Sequence, residues 1–171
     1  MSFEEIRVIT VVYLAVFLPL LVYFQNKTRL PSWVPTFYIV GVIVCALGWE
    51  LWFTYGWLDG DSVNLRRSEA LNNWLPKNIN WLMNSMGDAG AVLLGGAWIM
   101  WLSHKKDVKV FKEWKWSAFC ILLIWCIGQN ILVEMFLYHD QLAEGKPLSW
   151  APLSPLGPYF NPTLFEFNDR T

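Results

Sequence analysis

The sequence predicts an all-α integral membrane protein, with four transmembrane helices in an antiparallel bundle over residues 1–146 and an extended proline-rich C-terminal tail over 147–171. Three observations carry this. Of 171 residues, 55% are hydrophobic and 16% charged, and the mean hydropathy is +0.33, too apolar for a soluble domain of this length to bury. The apolar residues fall into four runs, each near the roughly 20 residues that cross a hydrocarbon core. The basic residues gather between those runs rather than within them.

The first run, Ile6 to Phe24, is interrupted only by Thr10 and Pro19 and holds no charge past Arg7. Met1 to Arg7 is acidic overall and lacks the basic start and small-residue cleavage site of a signal peptide, so this span is expected to stay in the mature protein. The second run, Thr36 to Trp57, carries one full charge, Glu50. The third, Ile79 to Ser103, holds Asn84 and Asp88 with Gly87, Gly90, Ala91, Gly95 and Gly96, small residues that permit close helix approach. The fourth, Trp116 to Tyr138, holds Gln129, Asn130 and Glu134.

The loop from His104 to Lys115 contains Lys105, Lys106, Lys109, Lys112 and Lys115, which makes it cytoplasmic by the positive-inside rule. Lys27 and Arg29 follow it inside, leaving the N-terminus, the Gly56 to Asn78 loop and the C-terminus extracytoplasmic. Arg66, Arg67 and Lys77 in the outer loop oppose this assignment, and Asp59, Asp61 and Glu69 beside them count little in the rule. Most of the twelve tryptophans stand at span ends, among them Trp33, Trp98, Trp101, Trp114 and Trp116 inside and Trp57, Trp74 and Trp81 outside, as an aromatic belt. Cys45, Cys120 and Cys126 all lie in apolar runs, so no disulfide framework is expected. Pro147 to Pro162 holds five prolines around Trp150, Tyr159 and Phe160. Such a segment forms no fifth helix and reads as extended chain resting on protein.

With a rise of 1.5 Å per residue, Glu50 lies roughly 10 Å below the outer end of its span, Asp88 roughly 13 Å and Glu134 roughly 6 Å. The spans alternate in direction, yet their carboxylates share the outer half of the membrane. Ala46, Glu50 and Thr54 form one stripe, Asn84 and Asp88 another continued by Ala91 and Gly95, and Cys126, Asn130, Glu134 and Tyr138 a third. A charge facing lipid at mid-span costs roughly 2.5 to 3.5 kcal/mol or more, so these acids should turn inward around a chamber open to the outside. Glu50, Asp88 and Glu134 are then the candidate catalytic acid/base residues, and Trp49, Trp52, Asn84, Asn130 and Tyr138 the candidate substrate-binding ones. The plainer reading is that these groups staple the helices together, at roughly 1 kcal/mol per bond.

Sharper chemistries are excluded by what the sequence lacks. Its two histidines are His104, at the opposite end, and His139, which is five residues from Glu134, so no Glu-x-x-His pair exists and neither metal nor cofactor is expected. Asp59-Gly60-Asp61 starts like a calcium loop, but Val63 occupies a ligand position and the later Glu is missing. No phosphate-cradling glycine loop, Ser-His-Asp order or Cys-x-x-Cys is present. A net charge of -1 gives no reason to expect nucleic acid. The segments beginning Glu50-Leu51-Trp52 and Glu134-Met135-Phe136 echo each other weakly, each placing a carboxylate before aromatics.

The Trp49-Glu50 pair in its helical setting resembles the membrane-bound terpene cyclases. The resemblance covers two adjacent residues and transfers no site residue, and this chain is shorter than that family's seven-span pattern. It implies only that cyclisation belongs among the reaction classes. The expectation is thus a small membrane enzyme (isomerase, hydratase or cyclase type) or binder of a lipid-soluble molecule. The alternatives are a non-catalytic subunit of a larger membrane complex and a proton-coupled carrier. Expected partners are the bilayer, the lipid-soluble molecule, and a membrane protein or second copy reached through the tail.

Overall fold

In a computed structural model of the chain, residues 1–56 and 62–133 are described, and their regular structure is helical, with no strand among them. Glu134, Tyr138, His139 and the tail lie outside the described residues, as does the Asp59-Gly60-Asp61 segment; so do the side chains of Trp52 and Asn130.

Helix α1 (Phe3–Asn26) opens on a capping box, in which Ser2 Oγ accepts the Glu5 N–H at 3.1 Å and Glu5 Oε2 accepts the Ser2 N–H at 2.6 Å. Val8, Val12 and Val16 follow at intervals of four, so they form one stripe, and that stripe is buried against Leu71, Leu75 and Met83. Leu14, Phe17, Leu18, Leu21 and Phe24 point outward.

The second apolar run is not one helix. Helix α2 (Val34–Leu47) stops at Gly48, and α3 (Trp49–Tyr55) resumes directly after it. A Cβ at position 48 would stand 2.8 Å from the Val44 carbonyl oxygen, so the break needs glycine. Ala46, Glu50 and Thr54 nevertheless remain buried across it, as their spacing predicts.

The predicted outer loop is folded rather than slack. Helices α4 (Val63–Arg66) and α5 (Glu69–Trp74) bury Val63, Leu71 and Leu75, and Ser68, the α5 cap, also donates to Glu5 Oε1 at 2.5 Å. Arg67, only 7% exposed, donates to Asn72 Oδ1 and Asn80 Oδ1, both at 2.9 Å, and to the Leu75 carbonyl. It clamps the loop to the helix that follows. Arg67 is therefore engaged in folding this loop, so its presence there need not be read as a topological signal.

The third run comprises α6 (Lys77–Gly87), a π-helical segment (Asp88–Leu94) and α7 (Gly95–Ser103). Within it the Gly95 N–H reaches back five residues to the Gly90 carbonyl, and the Ala91 carbonyl accepts the Trp125 indole N–H at 3.0 Å. This run is the hub, packing on α1, α2, α3 and α8 (Trp116–Leu132). Its glycines set the approach distances: a Cβ at Gly90 would lie 3.1 Å from the Ala15 carbonyl oxygen, and one at Gly96 3.0 Å from Trp125. Between α7 and α8, a 3-10 turn at Val108–Phe111 buries Val110 beside Met100, Trp101 and Ala118, and the His104 ring bridges the Met100 carbonyl and Ser117 Oγ.

Three helical stretches, Phe3–Asn26, Val34–Tyr55 and Lys77–Ser103, are long and apolar enough to cross a membrane. The fourth is shorter within the described residues, Trp116–Gln129. Only 17% of the first apolar window and 39% of the third is buried, so their outward surfaces are broadly apolar, a condition that suits lipid and not water.

Candidate functional site

The candidate site starts at Glu50, the one carboxylate of α3, which is 3% exposed. Its Oε2 accepts the Thr54 hydroxyl at 3.0 Å, one helical turn on, and the Asn84 amide Nδ2 at 3.4 Å from α6. Thr54 is fully buried and Asn84 is 6% exposed, so the carboxylate sits among ordered, desolvated partners. Asp88 follows Asn84 by four residues and opens the π-helical segment. Trp49, Glu50, Asn84 and Asp88 line one cavity of about 60 Å3, closed further by Phe53, Gly87 and Val92 and, from the other helices, by Val11, Ala15, Gln129 and Val133.

The structure thus brings together Glu50, Asp88, Asn84 and Trp49 from the candidate residues. Trp52 belongs to α3 and Asn130 to α8, but where their side chains stand is not described. Glu134 and Tyr138 are outside the described residues altogether. Sequence reasoning assigned no role to Gln129 or to the walls from α1. Gln129 carried a signal, since it is a polar residue inside an apolar run. Val11 and Ala15 carried none, because only packing turns their face toward the cavity.

Arg66, at the end of α4, packs back on α3. Its Nη2 donates to the Phe53 carbonyl and its guanidinium carbon lies 4.9 Å over the centroid of the Phe53 ring. Burial pushes this guanidinium below its usual value, and the Glu50 carboxylate acts the other way. Burial also pushes Arg67 down to about 10, the adjacent Arg66 charge adding to the fall.

Beside the polar cavity lies a much larger apolar one of about 510 Å3, between α1 on one side and the π segment, α7 and α8 on the other. Its wall includes Leu14, Leu18, Val22, Leu94, Trp98 and Trp125. Val11, Ala15, Ala91, Gln129 and Val133 border both spaces, so the two adjoin. Among the described residues, no three His, Cys, Asp or Glu side chains gather as a metal site would need. No protein-family model, no curated protein and no solved structure matches the chain at a significant level.

Proposed function

We propose that the chain is a multi-pass membrane protein of four antiparallel spans, with both termini extracytoplasmic, and that its chamber at Glu50 and Asp88 binds a lipid-soluble molecule and performs acid/base chemistry on it. The packing order supports the antiparallel arrangement. Position 41 faces 89 and 93, Ala46 meets Trp81 and Tyr55 meets Asn78, so numbers fall along the third run as they rise along the second. Ser117 against His104 and Trp125 against Ala91 repeat the pattern for the fourth.

The observation that carries the functional reading is that two carboxylates from different helices line one small cavity together with the Asn84 amide, which donates to Glu50. Glu50, which receives two donors, is cast as the proton acceptor, and Asp88, at the head of the π segment, as the donor. Isomerisation, hydration or cyclisation of an unsaturated substrate needs little beyond such a pair and a water-poor pocket. π-Helical turns are rare and concentrate at functional sites, which fits the position of Asp88.

The test is purification in mild detergent, with mass spectrometry of everything that co-purifies, for the wild type, Glu50→Gln and Asp88→Asn. A small lipid present in all three, with its product in the wild type alone, is the expected result. Identical lipid profiles would end the acid/base reading.

A second reading, a non-catalytic subunit of a membrane complex, draws support from the apolar tail sequence and from Trp114 and Trp116, which are 68% and 69% exposed. A stoichiometric partner chain in the same purification would favour it. A proton-coupled carrier is the weakest reading, because a through-path would need acidic groups in the inner half of the spans.

A further inference from the structure

Resting on the reading of the Glu50 and Asp88 chamber as a ligand site, the chemistry of its occupant can be taken further. Asn84 is 6% exposed, lines the polar cavity and gives its Nδ2 to Glu50, while its Oδ1 is buried with no hydrogen-bond partner among the described residues. Buried acceptors are rarely left in this state, so the cavity is short of one donor. Glu50, the proton acceptor of the same cavity, opposes an anionic group there. A space of about 60 Å3 holds a few atoms of water size and excludes a sugar or a phosphate ester. It adjoins the apolar space of about 510 Å3, within the usual size of a small-molecule site.

We infer that the site takes a single-chain lipid whose head is a small, non-anionic hydrogen-bond donor, an alcohol or an amine. The head donates to Asn84 Oδ1 between Glu50 and Asp88. The chain passes Ala15, Ala91 and Gln129 and lies along α1 against Leu94 and Trp98. Ala91 is the threshold, since it borders both spaces and its carbonyl is held by Trp125.

The full-length protein in detergent micelles can be photolabelled with four probes carrying the same mid-chain diazirine: hexadecanol, hexadecylamine, palmitic acid and methyl palmitate. The expected result is labelling of peptides containing Leu94 or Trp98 by the alcohol or the amine, about tenfold above the acid and the ester, the ratio of one hydrogen bond gained. Whichever of the two labels more strongly identifies the head. Unlabelled hexadecanol or hexadecylamine should compete.

Asn84→Ala should reduce alcohol or amine labelling to the level of the ester while leaving ester labelling unchanged, a readout that a merely misfolded variant would not give. Ala91→Trp should abolish labelling by all probes. Equal labelling by the acid or the ester in the wild type would overturn the inference, because the groove would then read apolarity alone. So would labelling seen only after truncation beyond Gly145, since the tail would then be the natural occupant. Selective labelling together with unchanged lipid profiles in Glu50→Gln and Asp88→Asn would remove the chemistry and keep the ligand class.

Discussion

Arg67→Met tests whether the segment of α4 and α5 is held by its buried guanidinium. The substitution keeps most of the side-chain length and removes the donors to Asn72, Asn80 and the Leu75 carbonyl. Asn80 and Leu75 are both 0% exposed, so two buried acceptors would lose the Arg67 donor. At about 1–3 kcal/mol each, that is about 2–6 kcal/mol lost. Part returns, because methionine is cheaper to bury than a guanidinium, which leaves a net loss of about 1–4 kcal/mol. For a chain of this size the unfolding midpoint should fall by roughly 3–15 °C. Thermal unfolding in micelles, followed by tryptophan fluorescence, measures it. Adding Asn80→Leu removes one of the acceptors that Arg67 serves, so the pair should be less damaging than the sum of its parts by about 1 kcal/mol. A midpoint within about 1 °C of the wild type, or strict additivity in the double variant, would refute the clamp.

Two further predictions concern packing and orientation. Gly90→Ala places a methyl 3.1 Å from the Ala15 carbonyl oxygen and 3.3 Å from Pro19, and should cost about 1–3 kcal/mol. Gly128→Ala meets nothing within 4 Å and should gain about 0.5–1 kcal/mol from helix propensity, so equal stability of the two variants would contradict the close approach of α1 to the hub. On a cysteine-free background, a single cysteine at Lys112 should react with a membrane-impermeant maleimide only from the cytoplasmic side, and one at Asn73 only from the opposite side; labelling of both from one side would overturn the proposed topology.

Much of the site could be read from the sequence, because it depends on spacing within single helices. Ala46, Glu50 and Thr54 are co-buried, and Asn84 with Asp88 reaches the same cavity, as period-four spacing and the cost of a lipid-facing charge require. What escaped depends on contacts between helices. Gly48 in an apolar run looks like one more small residue, and only the Val44 carbonyl explains the break. Ala91 continues the Asp88 face into the same cavity, but Gly95, which the spacing also puts on that face, lies beyond the π segment and meets Trp125. Arg67 in an outer loop reads as a topological signal until its three acceptors are seen. The apolar groove has no sequence signature at all, because its walls come from segments far apart along the chain.

In an unbroken α-helix, positions seven apart are offset by only about 20°, so Asp88 and Gly95 would share a face. The π-helical segment between them cancels that alignment and gives the carboxylate and the Trp125 seat separate directions. Removing one residue between 88 and 94 would let α geometry close with six steps of about 100° from Asp88 to the Trp125 seat, about the direction the π turn already gives, and should leave their relative aim nearly unchanged. The relative aim of Asp88 and the Trp125 seat is thus set by the one residue that the π segment absorbs, and a variant that closed this turn as α without shortening the chain would turn one away from the other by about 100°.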